Sequence, residues 1–112
     1  MENIKITKEK GPSINSILFY IKEEKTYAGL CSIQNINETT ILLREIIIYD
    51  QFRNKGYGAK LLNYVVEYLR KKNKYEKISG VFCPEDGQSE NLKKWYYNNG
   101  FELNGKMIEY YF

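Results

Sequence analysis

At 112 residues the chain suits one small domain, and 43% apolar residues are enough for a single packed core. A net charge of +3 argues against a dedicated nucleic-acid binder but tolerates an anionic ligand. Histidine is absent, which excludes His-based triads, His metal ligands and His proton shuttles. The two cysteines, Cys31 and Cys83, lack C-x-x-C spacing and sit in apolar runs, where a buried reduced thiol is the ordinary reading and no metal is expected. The opening "MENIKITKEK" has no apolar signal core and no run reaches membrane-spanning length, so a cytoplasmic protein without a membrane partner is expected.

In chain order, "NIKITKE" alternates as a strand and gives way to a loop at Gly11-Pro12. "INSILFYIKE" and "TYAGLCSIQNI" flank "EKT" as an antiparallel hairpin. After a polar turn over 35–39, "TILLREIIIYD" is apolar almost throughout, the pattern of a central strand covered on both faces. From Gly58 the period changes: Leu61, Leu62, Val65, Val66 and Leu69 recur at helical spacing. Arg70, Lys71 and Lys72 suit the negative end of that helix dipole. "KISGVFC" is a short strand stopped by Pro84. Ser89 then offers a cap for a second helix, which buries Leu92, Trp95 and Tyr96 and ends at Asn99-Gly100. The tail "FELNGKMIEYYF" is a hairpin about Asn104-Gly105. Seven strands and two helices in one domain spanning 1–112 make an α+β fold.

"RNKGYG", Arg53 to Gly58, joins the apolar strand to the first helix. A glycine-rich turn there puts backbone N–H groups at a helix N-terminus, where the dipole favours an anion. The spacing fits neither G-x-x-x-x-G-K-[ST] nor G-x-G-x-x-G, whose third glycine is replaced by Leu61. Local chemistry therefore leaves an anion cradle for another phosphate ligand, or a plain connecting turn.

The loop resembles the R/Q-x-x-G-x-G/A signature of the GNAT superfamily of N-acetyltransferases, and "EIIIYDQFRNKGYGAKLL" is similar to that family's lead-in. A second block, "SENLKKWYYNNGF", resembles the family's N-x-x-A-x-x-x-Y-x-x-x-G-F, so the two blocks cover about residues 41–103. The resemblance implies a mixed, mostly antiparallel seven-stranded sheet whose central strands splay at the cofactor site. It implies acetyl-CoA as cosubstrate, with the amides of Gly56, Tyr57, Gly58 and Ala59 on its pyrophosphate and Arg53, Asn54 and Lys55 on the approach. The backbone of Ile46, Ile47 and Ile48 would pair with the pantetheine arm as an added strand. Ser89 or Asn91 would contact that arm, and the bulky Leu92 departs from the family's small residue.

Tyr96 falls where the family often keeps a tyrosine near the cofactor sulfur, so it is the implied general acid, the alternative being a core aromatic paired with Leu92. Glu45 is the candidate general base, against the plainer role of a solvated strand residue; Glu85 and Asp86 compete with it. The family normally carries two helices between its first two strands, and here a few residues replace them. The acceptor side should be open, which favours an amine on a protein (lysine or N-terminus) over a small amine, or a pocket completed by a second subunit. The aromatic tail "MIEYYF" offers strand edges for a homodimer. The alternative to catalysis is an acetyl-CoA-binding module acting through protein contacts. Lys71, Lys72, Lys74, Lys77, Lys93 and Lys94 read as solvated helix and strand faces, and nucleic acid is not expected.

Overall fold

The computed structural model describes residues 3–84 and 86–112. Its strands are β1 (Ile4–Lys10), β2 (Ser16–Glu23), β3 (Thr26–Asn35), β4 (Thr40–Ile48), β5 (Lys77–Val81), β6 (Glu102–Asn104) and β7 (Met107–Tyr111). Its helices are α1 (Tyr57–Lys72) and α2 (Ser89–Asn98), with a 3-10 turn over Asp50–Phe52. The strands form one sheet in the order β1-β2-β3-β4-β5-β7-β6, and only the β4–β5 pairing is parallel. That pairing is what the crossover through α1 produces, because a parallel neighbour needs a long return connection.

Both helices lie over one face of the sheet. Leu61, Leu62, Val65, Val66 and Leu69 of α1 are buried with Phe19, Ile21, Cys31, Ile33, Ile41 and Leu43 of the strands beneath. At the other end Arg70 of α1 hydrogen-bonds Tyr110 of β7, and Trp95 of α2 packs on Gly58 of α1. The opposite face carries neither helix, an arrangement that antiparallel sheets tolerate. Leu42 there is half-buried and Ile47 is 38% exposed. β4 is thus covered on one face, and its continuous apolar run has a different cause.

That cause is a bulge. Ser32 pairs with Glu45 and Ile33 with Leu43, so Arg44 has no partner on β3. The extra residue flips the alternation, putting Ile41, Leu43, Ile46 and Ile48 on the helix face and Glu45 and Ile47 on the bare one. Two strand halves of opposite phase read as one unbroken apolar run. The tail also differs from expectation: β7 lies between β5 and β6, so "MIEYYF" presents no free edge, and the exposed edge on that side is the short β6. The turn between β1 and β2 occupies only residues 11–15, so no helix follows β1.

Candidate active site

β4 and β5 pair only from Thr40–Lys77 to Leu43–Gly80. β4 then runs on to Ile48 while β5 stops at Val81, and the two diverge. Tyr49 donates its N–H to the Ala28 carbonyl at 2.9 Å. In an antiparallel ladder bonded pairs alternate, so Ile47 and Glu45 are bonded to β3, whereas the N–H and C=O groups of Ile46 and Ile48 point into the gap. Arg53 Nε donates to the Ile48 carbonyl at 3.0 Å, tying the following loop to the strand end. Of the three isoleucines, Ile46 and Ile48 therefore present backbone to the gap. Ile47 spends its backbone on β3.

The loop after β4 is shaped by left-handed residues. Asn54 has φ 65° and Gly56 φ 79°, and alternate positive φ values turn successive amides toward a common concavity. No atom lies within 4 Å of where a Gly56 Cβ would stand. Glycine is kept there for its backbone angle, with room left above it. Gly56 also takes the first helical bond of α1, from Lys60 N–H at 3.1 Å. The amides of Gly58 and Ala59 precede that bond and lie at the positive end of the helix dipole. Gly58 is small for a different reason: a Cβ would stand 3.1 Å from the Trp95 ring.

The loop is braced from below. Lys55 Nζ lies 2.9 Å from Glu23 Oε1 at the end of β2, and the Tyr57 hydroxyl donates to the same oxygen. Tyr57 is buried against Phe52, with ring centroids 6.4 Å apart. Lys55 is thus turned to Glu23, away from the cleft.

Between the loop, β4 and α2 lies a cleft of about 770 Å³ lined by Ile46, Ile48, Arg53, Asn54, Gly56, Tyr57, Gly58, Ala59, Asn91 and Tyr96, all expected from sequence. Phe52, Cys83, Gln88, Leu92 and Trp95 complete the lining. Leu92 and Trp95 are half-buried because their helical stripe faces this open space, and only Tyr96 of that trio is buried. Ser89 is absent from the lining; it is the first helical residue of α2, and Gln88 precedes it as cap without a side-chain cap bond. Phe52, Gln88 and Trp95 were not foreseen. The one sequence signal for Trp95 is the glycine in the first turn of α1, which admits a large ring.

Tyr96 is placed by the end of α2. Phe101 N–H bonds the Tyr96 carbonyl at 2.9 Å, Gly100 N–H bonds the Tyr97 carbonyl at 3.0 Å, and Gly100 has φ 89°. This is a Schellman cap, whose usual apolar contact is the Tyr96–Phe101 ring pair at 5.6 Å. The Y-x-x-x-G-F spacing is therefore a helix stop that fixes the tyrosine at the splay. Burial pushes its hydroxyl up to about 12, assisted by Cys31 and Cys83, so the phenol is protonated throughout the neutral range. A smaller cavity of about 180 Å³ joins Tyr96, Cys83, Leu92 and Ile46 to Arg44 and Glu45. Glu45 also lines a groove of about 430 Å³ on the bare face with Ser16, Leu18, Tyr20, Leu30 and Ser32. Asp86 lines none of these three spaces, and Glu85 lies outside the described residues. The cleft, the small cavity and the groove share walls through the sheet, from the helix face to the bare face.

The model of an acetyltransferase (GNAT) domain matches residues 15–103. Among solved structures, a GNAT family acetyltransferase from Elizabethkingia anophelis with acetyl-CoA bound has a TM-score of 0.80 at 14% identity, over 98% of this chain and 99% of that one. An IAA acetyltransferase from Bacillus cereus has a TM-score of 0.78 at 13% identity, over 98% of this chain and 100% of that one. The PaiA N-acetyltransferase of Thermoplasma acidophilum, in complex with coenzyme A, has a TM-score of 0.72 at 17% identity, over 88% of this chain and 62% of that one. At these identities the likeness is one of fold. No curated protein matches the sequence.

Proposed function

The chain belongs to the GNAT acetyltransferase family, and on that premise we propose that it moves an acetyl group from acetyl-CoA to an amine carried by a protein. The observation that carries this reading is the convergence of a helix-start anion cradle, a free strand edge and the Tyr96 hydroxyl on one cleft. Gly56, Gly58 and Ala59 amides would hold the pyrophosphate, with Arg53 and Asn54 at the rim. Ile46 and the Ile48 N–H would pair with the pantetheine amides. Tyr96, protonated in the neutral range and lining the cleft, would give its proton to the departing thiolate. Glu45, across the small cavity from Tyr96, would take the proton from the attacking amine, directly or through water.

The bare face supports a protein acceptor. Its groove runs from Pro12 and Ser13 of the short turn past Leu18 and Leu30 to Glu45, with no helix between β1 and β2 to cover it, so a side chain on an extended backbone can reach toward Glu45. One domain over 1–112 suffices for this arrangement.

Thiol release from acetyl-CoA, measured against a panel of amines, peptides and proteins, tests the reading. Tyr96→Phe should lower turnover about 100-fold or more while acetyl-CoA affinity stays within about twofold. Full activity in that variant removes Tyr96 as the acid. Acetyl-CoA binding with no acceptor in the panel turned over would make the chain a binding module.

A further inference from the structure

We propose that Cys83 is a modification site, at which coenzyme A seated in the cleft becomes bonded to the protein as a mixed disulfide. The proposal rests on the acetyl-CoA reading above. Cys83 follows the end of β5, is exposed, and lines both the large cleft and the small cavity behind it. Tyr96 lines the same two spaces. It is 9% exposed, and since no fully buried side-chain polar atom among the described residues lacks a partner, its hydroxyl is not a sealed-off orphan but is open to the space it lines. A phenol whose ring is buried while its hydroxyl is open to the cleft can donate to a ligand atom seated there. For Tyr96 to protonate a leaving thiolate, the coenzyme sulfur must come within hydrogen-bond reach of that hydroxyl. Cys83 shares those walls. The second cysteine cannot compete: Cys31 is fully enclosed, and burial pushes its thiol up to about 12.

The step is thiol–disulfide exchange with a coenzyme A disulfide, CoA–S–S–R. The Cys83 thiolate attacks the coenzyme A sulfur, a Cys83 Sγ–S bond forms, and the old S–S bond breaks. The departing R–S⁻ takes up the proton that Cys83 released. The disulfide supplied is the oxidant, so no further electron acceptor is needed. The product fills the cleft and blocks acetyl-CoA until a thiol reduces it.

The test compares oxidised coenzyme A, the symmetrical disulfide, with 2-hydroxyethyl disulfide at equal concentration, followed by intact mass and peptide mapping. Seating in the cleft should make coenzyme A modify Cys83 at least about tenfold faster, through proximity. Saturating acetyl-CoA should slow it by a similar factor, Cys83→Ser should take no adduct, and dithiothreitol should restore turnover. Equal rates for the two disulfides, or no protection by acetyl-CoA, would overturn the proposal. A calorimetric titration separates the two ideas. Coenzyme A that binds without favouring Cys83 sinks the disulfide alone, whereas coenzyme A that fails to bind sinks the acetyl-CoA reading as well.

Discussion

The two faces of the sheet are built for different work. On the helix face Phe19, Ile21, Cys31, Ile33 and Ile78 are at most 1% exposed beneath α1 and α2. On the other face Leu18, Tyr20, Leu30 and Leu42 are only half-buried, and Tyr27 is 48% exposed. The covered face supplies stability and the anchored cleft, while the bare face leaves apolar surface next to Glu45. The bulge at Arg44 is the seam, because it turns Ile46 and Ile48 to one side and Glu45 to the other within a few residues of chain.

Substitutions can break this division at graded cost. Gly58→Glu, on the covered side, sets a carboxylate in the anion cradle and a Cβ against Trp95. Acetyl-CoA affinity by calorimetry should fall at least about 100-fold, with circular dichroism checking that the fold persists. Ile33→Ala and Leu30→Ala compare the two faces directly. The first removes fully buried atoms and should cost about 2–5 kcal/mol in urea unfolding. The second should cost less than half as much, yet raise KM for a protein acceptor with the acetyl-CoA affinity unchanged; equal stability losses would erase the distinction between the faces.

Acid unfolding probes the bare face away from the cleft. Glu109 accepts from Lys77 at 2.9 Å, Asn104 at 3.0 Å and Tyr111 at 2.9 Å. The Lys77 hydrogen bond, then those of Asn104 and Tyr111, hold its carboxyl down to about 2. A depressed carboxylate stabilises the fold above the unfolded value of about 4.3, and that contribution disappears as pH falls toward 2. Glu109→Gln should flatten the pH dependence of the melting temperature across that window and leave the cleft alone. Smallest of all, Glu23→Gln should weaken acetyl-CoA binding a few-fold by loosening Lys55 and Tyr57 beneath the loop.

Much of this was legible in the sequence because the covered face is local chemistry. The helical period of α1, the glycine turn before it and the Y-x-x-x-G-F stop each act through near neighbours in the chain. Gly100 announces the cap, and the cap fixes Tyr96. What escaped depends on distant pairing. Ile47 looks equivalent to Ile46 and Ile48 until the register with β3 assigns its backbone to Leu30. Lys55 looks like a phosphate ligand until the β2 end brings Glu23 beneath it. Leu92 and Trp95 share the period of a buried stripe, and no period says that the stripe faces a cleft. An open acceptor side was expected from the short link between the first two strands, but the bare face of β4 was not, because the bulge makes a strand covered on one face look like one covered on both.

The central claim is that one cleft, bounded by the end of β4, the loop over 53–59 and the start of α2, receives acetyl-CoA. Hydrogen–deuterium exchange with and without acetyl-CoA measures this residue by residue. The account predicts slowed exchange at Ile46, Ile48, Gly56, Gly58 and Ala59 and around Asn91, with little change over β1 and β2. Unchanged exchange in those segments, or protection centred elsewhere, would contradict it.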